Sequence, residues 1–349
     1  MRAGFLSLCY RIARYTITYT VYFFQYLFAR PKDLETAVAC GEKALSSFRV
    51  FSPLFFDFNI PKEIETEVYE MKFPSPVIGA SFKSELQILD IWFRMGLGGI
   101  ILKTIMQEER DGNLRPRLQD AFFDGQKGLL NSMGLPGPGI DEFAIAIPKF
   151  SIWDYGRPLG ISVGGDSRED YLDTVATLEQ ALCEKDSVYF YELNISCPNT
   201  KTGKSLSENL QDLELVLQEV RQLTSNPVSV KVSPDQKDGD LMRIGEILKS
   251  NHKIIINAGN TTYKKSIDVG IASSHFSSVG GGLSGPVLFS RTLDMVKLFS
   301  GFNIPIMATG GISTINHVAA LQEAGATLFG MATALVFDPY CIPKINRNL

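Results

Sequence analysis

Cys197 stands in Glu192-Leu193-Asn194-Ile195-Ser196-Cys197-Pro198-Asn199-Thr200, between two asparagines and shortly after the apolar run Val188-Tyr189-Phe190-Tyr191. A thiol accepts a proton only as its thiolate, and its ordinary pKa is near ~8.5. Held beside two amides that grip a polar ring, it could remove a proton from a carbon of that ring. Alone, the same residues also suit a packed cysteine ahead of a helix-stopping proline. Lys103 ends the apolar run Gly98–Lys103 and Lys231 lies in Pro227–Val232. An ammonium withdrawn from water needs a partner, which a bound anion or electron-rich ring would supply. The glycines of Ala308-Thr309-Gly310-Gly311-Ile312-Ser313 and Gly330-Met331-Ala332-Thr333 lead into helices, whose first N–H groups suit a phosphate.

These residues must be positioned by short apolar strands that alternate with helical stretches beyond about residue 65. Candidate strands are Pro76–Ala80, Gly98–Lys103, Leu159–Val163, Val188–Ile195, Pro227–Val232, Lys253–Asn257, Ile304–Ala308 and Thr327–Met331. Eight parallel strands close a cylinder, so the expected fold is α/β, a (β/α)8 TIM barrel with an N-terminal helical extension. Such barrels build their sites at the C-terminal strand ends. Here those ends carry Ser81, Lys103, Ser162, Asn194 with Cys197, Lys231, Asn257 with Asn260, Gly310 with Gly311, and Ala332 with Thr333. Leu206, Leu210, Leu213, Leu217 and Val220 form one apolar helical stripe, and Ser313 is the expected cap of a helix ending at Gly325.

The 349 residues, 45% hydrophobic, suffice for one large barrel plus an appendage. Net charge is -4, but residues 1–32 hold Arg2, Arg11, Arg14, Arg30 and Lys32 and no acid, leaving the rest near -9. That balance argues against nucleic acid and directs any anionic partner, such as a lipid surface, to the N-terminus. Cys9, Cys40, Cys183, Cys197 and Cys341 show no CxxC spacing, so neither a disulfide framework nor a zinc site is expected. His252, His275 and His317 form no metal pair or triad. The uncharged run Tyr15–Ala29 would reach only about 22 Å as a helix, short of the ~30 Å hydrocarbon core. Leu34, Val38, Leu45 and Phe48 mark a second helical face, so residues 1–64 are expected to form two amphipathic helices lying on a membrane, with the barrel at 65–349.

From about Phe73 to Phe337 the chain resembles dihydroorotate dehydrogenases, flavin enzymes of pyrimidine synthesis. The resemblance rests on Asn131-Ser132-Met133-Gly134-Leu135-Pro136, on the stretch Glu192 to Thr200, and on Ser229-Val230-Lys231. It also rests on Asn257-Ala258-Gly259-Asn260-Thr261-Thr262, on Gly281-Gly282-Leu283-Ser284-Gly285, and on the glycines above. It implies FMN as cofactor and dihydroorotate, oxidised to orotate, as substrate. Cys197 would be the catalytic base, with Lys231 and Lys103 against the flavin. Lys103, Asn131, Met133, Gly134, Leu135, Asn194, Asn199, Asn260 and Thr261 would hold the substrate. The cofactor would be held by Ala80, Ser81, Lys103, Thr104, Asn194, Lys231, Asn257, Ser284, Gly285, Gly310, Gly311, Ala332 and Thr333, with no metal.

Two subclasses are mixed. The cysteine base, Lys103 and the Asn131–Pro136 segment look like the soluble class, which reoxidises its flavin with fumarate or, through a partner subunit, NAD. The run Tyr22–Phe28 followed by Asp33 to Leu45 is similar to the two-helix extension of the membrane-bound class, whose base is a serine. Ser84, Asp120 and Ala332 stand where that class places a lysine, a tunnel arginine and a tyrosine. The extension makes a quinone the expected acceptor and a bacterial cytoplasmic or mitochondrial inner membrane the expected site of peripheral attachment, with fumarate or NAD the alternative. A lyase using Lys231 as a Schiff-base nucleophile on a phosphorylated substrate would fit the lysine and glycines, but has no need of Cys197 or the asparagines.

Overall fold

The computed structural model describes residues 1–195 and 206–349. Helices α1 (Arg2–Leu27), α2 (Leu34–Ser47) and the single turn α3 (Ser52–Phe55) precede a hairpin of β1 (Thr66–Val68) and β2 (Met71–Phe73). The barrel chain then runs β3 (Val77–Gly79), α4 (Leu86–Met95) and β4 (Gly99–Ile105). An excursion of β5 (Leu118–Phe123) and β6 (Gln126–Asn131) leads to α5 (Gly139–Ala146) and β7 (Leu159–Val163). The chain continues through α6 (Arg168–Leu182), β8 (Tyr189–Asn194), α7 (Leu210–Leu223), β9 (Val228–Val232), α8 (Asp238–Lys249) and β10 (Ile254–Ala258). A second excursion, β11 (Thr262–Lys265) and β12 (Gly280–Ser284), precedes α9 (Phe289–Phe299), β13 (Ile306–Thr309), α10 (Ile315–Glu323), β14 (Leu328–Met331), α11 (Thr333–Phe337) and α12 (Cys341–Asn346).

Strands β3, β4, β7, β8, β9, β10, β13 and β14 close into a parallel barrel, each overlapping one of the eight expected strands. Their near-continuous apolar runs follow from burial on both faces, against the helices outside and the filled lumen inside. The lumen floor packs Ile78, Ile101, Phe190, Ile255, Met307 and Leu328 against Val68, Met71 and Phe73 of the hairpin. The floor is thus closed by β1 and β2, whose Tyr69 hydroxyl donates to the Ile254 carbonyl at 2.6 Å. At the opposite end the two excursions join as one antiparallel sheet, in the order β11, β12, β6, β5.

Helix α2 packs beside β5 of that upper sheet and the start of α1 packs along α12 and residues 53–58, and α1 differs from expectation. It spans 26 residues, about 39 Å, because Arg11 and Arg14 continue the helix instead of ending it. Among the described residues, no helix is long and apolar enough to cross a membrane. The helix is also reversed in polarity: Ser7, Thr18 and Gln25 are buried with Leu6, while Phe5, Leu8, Ile12, Tyr15, Tyr19 and Phe23 face outward. Its docked face makes polar contacts. Ser7 donates to Asp338 at 2.6 Å, Arg14 pairs with Asp120 at 2.8 Å and lies over the Phe337 ring, and Gln25 exchanges two hydrogen bonds with the Asp33 backbone. Elsewhere, α10 takes its cap from Thr314, which accepts from the His317 N–H, in place of the expected Ser313.

Candidate active site

In a strand, side chains two apart share a face, so Glu192 and Asn194 on β8, and Ser229 and Lys231 on β9, point the same way as their neighbours in register. Asn194 pairs with Lys231 and Asn257 with Lys231 across adjacent strands. The result is a hydrogen-bonded girdle around the upper lumen. Ser81 contacts Thr104 at 3.3 Å, Thr104 contacts Ser162 at 2.9 Å, and Ser162 donates to Glu192 at 3.0 Å. Asn257 donates to the other Glu192 oxygen at 2.6 Å, and Asn194 donates to Thr104 at 3.2 Å. Ala80 continues the barrel ladder beside this ring, its N–H bonded to the Met331 carbonyl.

Lys231 is almost fully buried, and its Nζ lies 3.8 Å from Glu192, whose side chain is wholly buried. Its charge is therefore balanced by the protein itself, where sequence reasoning assigned that task to a ligand. Glu192 had no expected role. Its partners are 30 and 65 residues away, so the one signal available was an acid inside an apolar strand. The same layer holds buried Asn257 Oδ1, Ser229 Oγ and Thr309 Oγ1, which find no hydrogen-bond partner among the described residues.

Lys103, at the upper end of β4, donates to the Pro136 carbonyl at 2.6 Å and so ties the barrel to the Asn131–Pro136 loop. Burial lowers its pKa below that of an ordinary lysine, with Glu85 acting in the opposite direction. Gly134 and Leu135 both have positive φ, +72° and +52°. A side chain at Gly134 would sit 2.7 Å from the Asn113 nitrogen, so glycine is required there for two reasons. Asn131 donates to the Gly282 carbonyl at 3.1 Å, Gly282 packs on Thr261, and the Thr261 N–H bonds the Asn260 side chain at 2.8 Å. Asn131, Asn260 and Thr261 are thus brought together on the upper sheet.

A third cluster joins the residues expected to hold a phosphate. The Thr333 hydroxyl donates to Ser284 at 2.8 Å, and Gly285 lies against Gly128 and Thr333. Gly310 and Gly311 follow β13, and a Cβ on Gly311 would come within 2.5 Å of the Phe289 nitrogen at the start of α9. Ala332 immediately precedes Thr333 at the end of β14. All three clusters therefore share the upper end of one barrel. Cys197 and Asn199 lie outside the described residues, immediately beyond β8 in sequence.

Comparison with known proteins agrees with this geometry. A family model for dihydroorotate dehydrogenase matches residues 63–349. The chain is 30% identical over 297 residues to the catalytic subunit of dihydroorotate dehydrogenase B (NAD(+)) from Bacillus mycoides, covering 82% of this chain and 90% of that protein. The corresponding subunit from Shouchella clausii is 32% identical over 256 residues, covering 72% and 80%. In fold, the chain is similar to the crystal structure of DHODH from Eimeria tenella in complex with ferulenol, with a TM-score of 0.71 at 19% identity over 88% of this chain and 89% of that one. The (β/α)8 barrel, the match across the whole barrel and the relatives together show that the chain belongs to the dihydroorotate dehydrogenase family of oxidoreductases.

Proposed function

We propose that the chain oxidises dihydroorotate to orotate with FMN as its cofactor. The observation that carries this reading is the polar girdle with Lys231 at its centre, lying between a phosphate-sized cluster of glycines and hydroxyls and a loop suited to an anion. The residues present fit a flavin: Asn257 Oδ1, Ser229 Oγ and Thr309 Oγ1 are buried polar atoms without partners among the described residues, and Gly310 and Gly311 leave a cradle that side chains would fill. Ala80, Ser81, Thr104, Asn194, Asn257 and Lys231 would line the ring, with Ser284, Gly285, Gly310, Gly311, Ala332 and Thr333 at the phosphate. A bound flavin would supply the hydride acceptor.

This chain's own residues supply the rest. Cys197, as thiolate, takes the proton from the ring carbon next to the carboxylate-bearing carbon, and the latter loses a hydride. Asn131, Asn194, Asn199 and Asn260 hydrogen-bond the ring amides and carboxylate, while Lys103, Thr261 and the Met133–Leu135 backbone make further substrate contacts. Lys231 offsets the negative charge that accumulates during transfer, a contribution of the oxyanion-hole kind.

For the acceptor, the relatives' names favour NAD(+) over the quinone expected from the N-terminal extension. Asp120, which stands where the quinone-linked class places a tunnel arginine, is instead paired with Arg14 of α1 and with Lys127. The outward aromatic face of α1 favours a further element, contact of residues 1–64 with a lipid surface while 65–349 carry the catalysis.

Anaerobic reduction with dihydroorotate, followed by mixing with fumarate, a soluble quinone, or NAD(+) with and without a partner subunit, tests the reaction and its acceptor. Bleaching by dihydroorotate supports the reaction, and the acceptor that restores the yellow colour fastest identifies the route. A colourless protein that borohydride traps on a phosphorylated substrate would instead make Lys231 a Schiff-base nucleophile.

A further inference from the structure

Helix α2 reaches the substrate side of the barrel through one arginine. The Arg117 guanidinium makes a two-point contact with Glu35 of α2, Nε to Oε1 at 3.0 Å and Nη2 to Oε2 at 3.4 Å. Its remaining nitrogen, Nη1, donates to the carbonyls of Asp111 and Asn113, each at 2.8 Å. Both side chains are largely buried, with exposures of 12% and 17%. Planar, charge-assisted pairs of this type fix orientation as well as position.

The turn that Arg117 holds is itself bonded to the Asn131–Pro136 loop. The Asn113 N–H donates to the Met133 carbonyl at 3.0 Å, the Asn113 amide side chain donates to Ser132 O at 2.8 Å, and the Ser132 N–H donates to the Arg117 carbonyl at 2.9 Å. Gly112 permits the approach, since a Cβ there would meet both Met133 O and Arg117 Nη1. A second brace runs parallel. Lys83 is ion-paired with Glu42 of α2 and with Glu85, and its carbonyl accepts from the Lys103 N–H at 3.1 Å. Helix α2 therefore grips both segments that flank Lys103.

We propose that Glu35, acting through Arg117, is a positioning residue for substrate, and that α2 belongs to the substrate half of the site. This inference rests on the reading above, in which the Met133, Gly134 and Leu135 backbone contacts the substrate. With glutamine in place of Glu35, Arg117 loses its charge partner and one of the two acceptors on that edge, meets an NH2 donor there instead, and releases its hold on the Asp111 and Asn113 carbonyls. The positive-φ backbone at Gly134 and Leu135 then loses the support that keeps it in place.

The test uses the full-length, flavin-loaded protein and the variants Glu35→Gln, Arg117→Gln, Glu35→Asp and Arg115→Gln. Arg115 contacts the same helix through Asp33 and Thr36 and lies 3.8 Å from Glu35 Oε1, but it holds neither loop carbonyl. Three quantities are read: the orotate dissociation constant from the flavin absorbance change, the limiting rate of flavin reduction by dihydroorotate, and hydrogen exchange at the Asn113 and Ser132 amides. Glu35→Gln and Arg117→Gln should weaken orotate binding about tenfold or more, keep the limiting rate within about twofold, and speed exchange at Asn113. Glu35→Asp should recover part of the affinity, and Arg115→Gln, which leaves the two-point Glu35–Arg117 contact in place, should change all three far less. Unchanged orotate affinity in Glu35→Gln, or an equal loss in Arg115→Gln, would overturn the proposal. If the parent protein is neither bleached by dihydroorotate nor perturbed by orotate, the functional reading has failed. Exchange at Asn113 then still decides whether Glu35 holds the loop.

Discussion

The upper lumen and helix α1 solve opposite problems. In the lumen, polar groups are drawn inward and satisfy one another: Ser81, Thr104, Ser162, Glu192, Asn257 and Asn194 form one connected girdle enclosed by apolar strands. On α1 Ser7, Thr18 and Gln25 face the protein beside Leu6, Tyr10, Val21 and Tyr22, while a row of apolar side chains from Phe5 to Phe23 faces out. Burying polar groups is tolerable in both places because most of them find a partner. The difference lies in what is left over. The barrel leaves buried hydrogen-bonding atoms without partners among the described residues, and the helix leaves exposed apolar area at the surface. The first suits a polar cofactor edge and the second suits lipid.

That contrast can be broken at several points, and the largest effect is expected at the mouth. Cys197→Ala should slow flavin reduction by dihydroorotate by about 10²- to 10⁴-fold in anaerobic stopped-flow, the usual contribution of a positioned base. Parent-like reduction in that variant would remove the thiol from the mechanism. Next comes pH. The rate should climb as pH rises toward ~8.5, where an ordinary thiol ionises. The lowered pKa of Lys103 works in the other direction: its positive charge is present below that pKa and lost as pH rises through it. Orotate binding should therefore weaken at a lower pH than an unperturbed lysine would dictate, which a titration of the dissociation constant would read.

Effects on the helix side should be smaller and should appear in stability, not chemistry. Asp120→Asn removes the carboxylate that Arg14 and Lys127 share, and should cost about 1–2 kcal/mol in denaturant unfolding, between the values for exposed and fully buried pairs. Phe23→Ser, at a side chain 60% exposed, should shift stability by no more than about 0.5 kcal/mol. It should nevertheless reduce co-sedimentation with anionic vesicles. If Phe23→Ser unfolds the protein instead, that face of α1 is covered in solution and the contrast fails.

The eight barrel strands were legible because burial on both faces writes itself as unbroken apolar runs. The side strands were not. The Gly280–Ser284 strand carries three glycines in succession, which have no side chains to alternate. The β5–β6 hairpin did offer a signal, since Asp124-Gly125 is a favoured two-residue turn and both residues take positive φ, +48° and +70°. The extent of α1 was misjudged because Arg11 and Arg14 looked like the end of an apolar segment, whereas Arg14 is met by Asp120, 106 residues away in the chain. Distance in sequence also hid Glu192. Its strand was obvious, but the hydroxyl, amide and ammonium that surround it come from three other strands.

The Glu192–Lys231 pairing makes the lysine hard to interrogate alone. Trimming Lys231 to methionine would strand a carboxylate in a dry interior, a loss of about 3–5 kcal/mol for comparable buried pairs. A weakly coloured, fragile Lys231→Met protein would then report the orphaned acid as much as any missing electrostatic help to the flavin. Only the companion Lys231→Met, Glu192→Gln double substitution, which removes both charges together, separates the two.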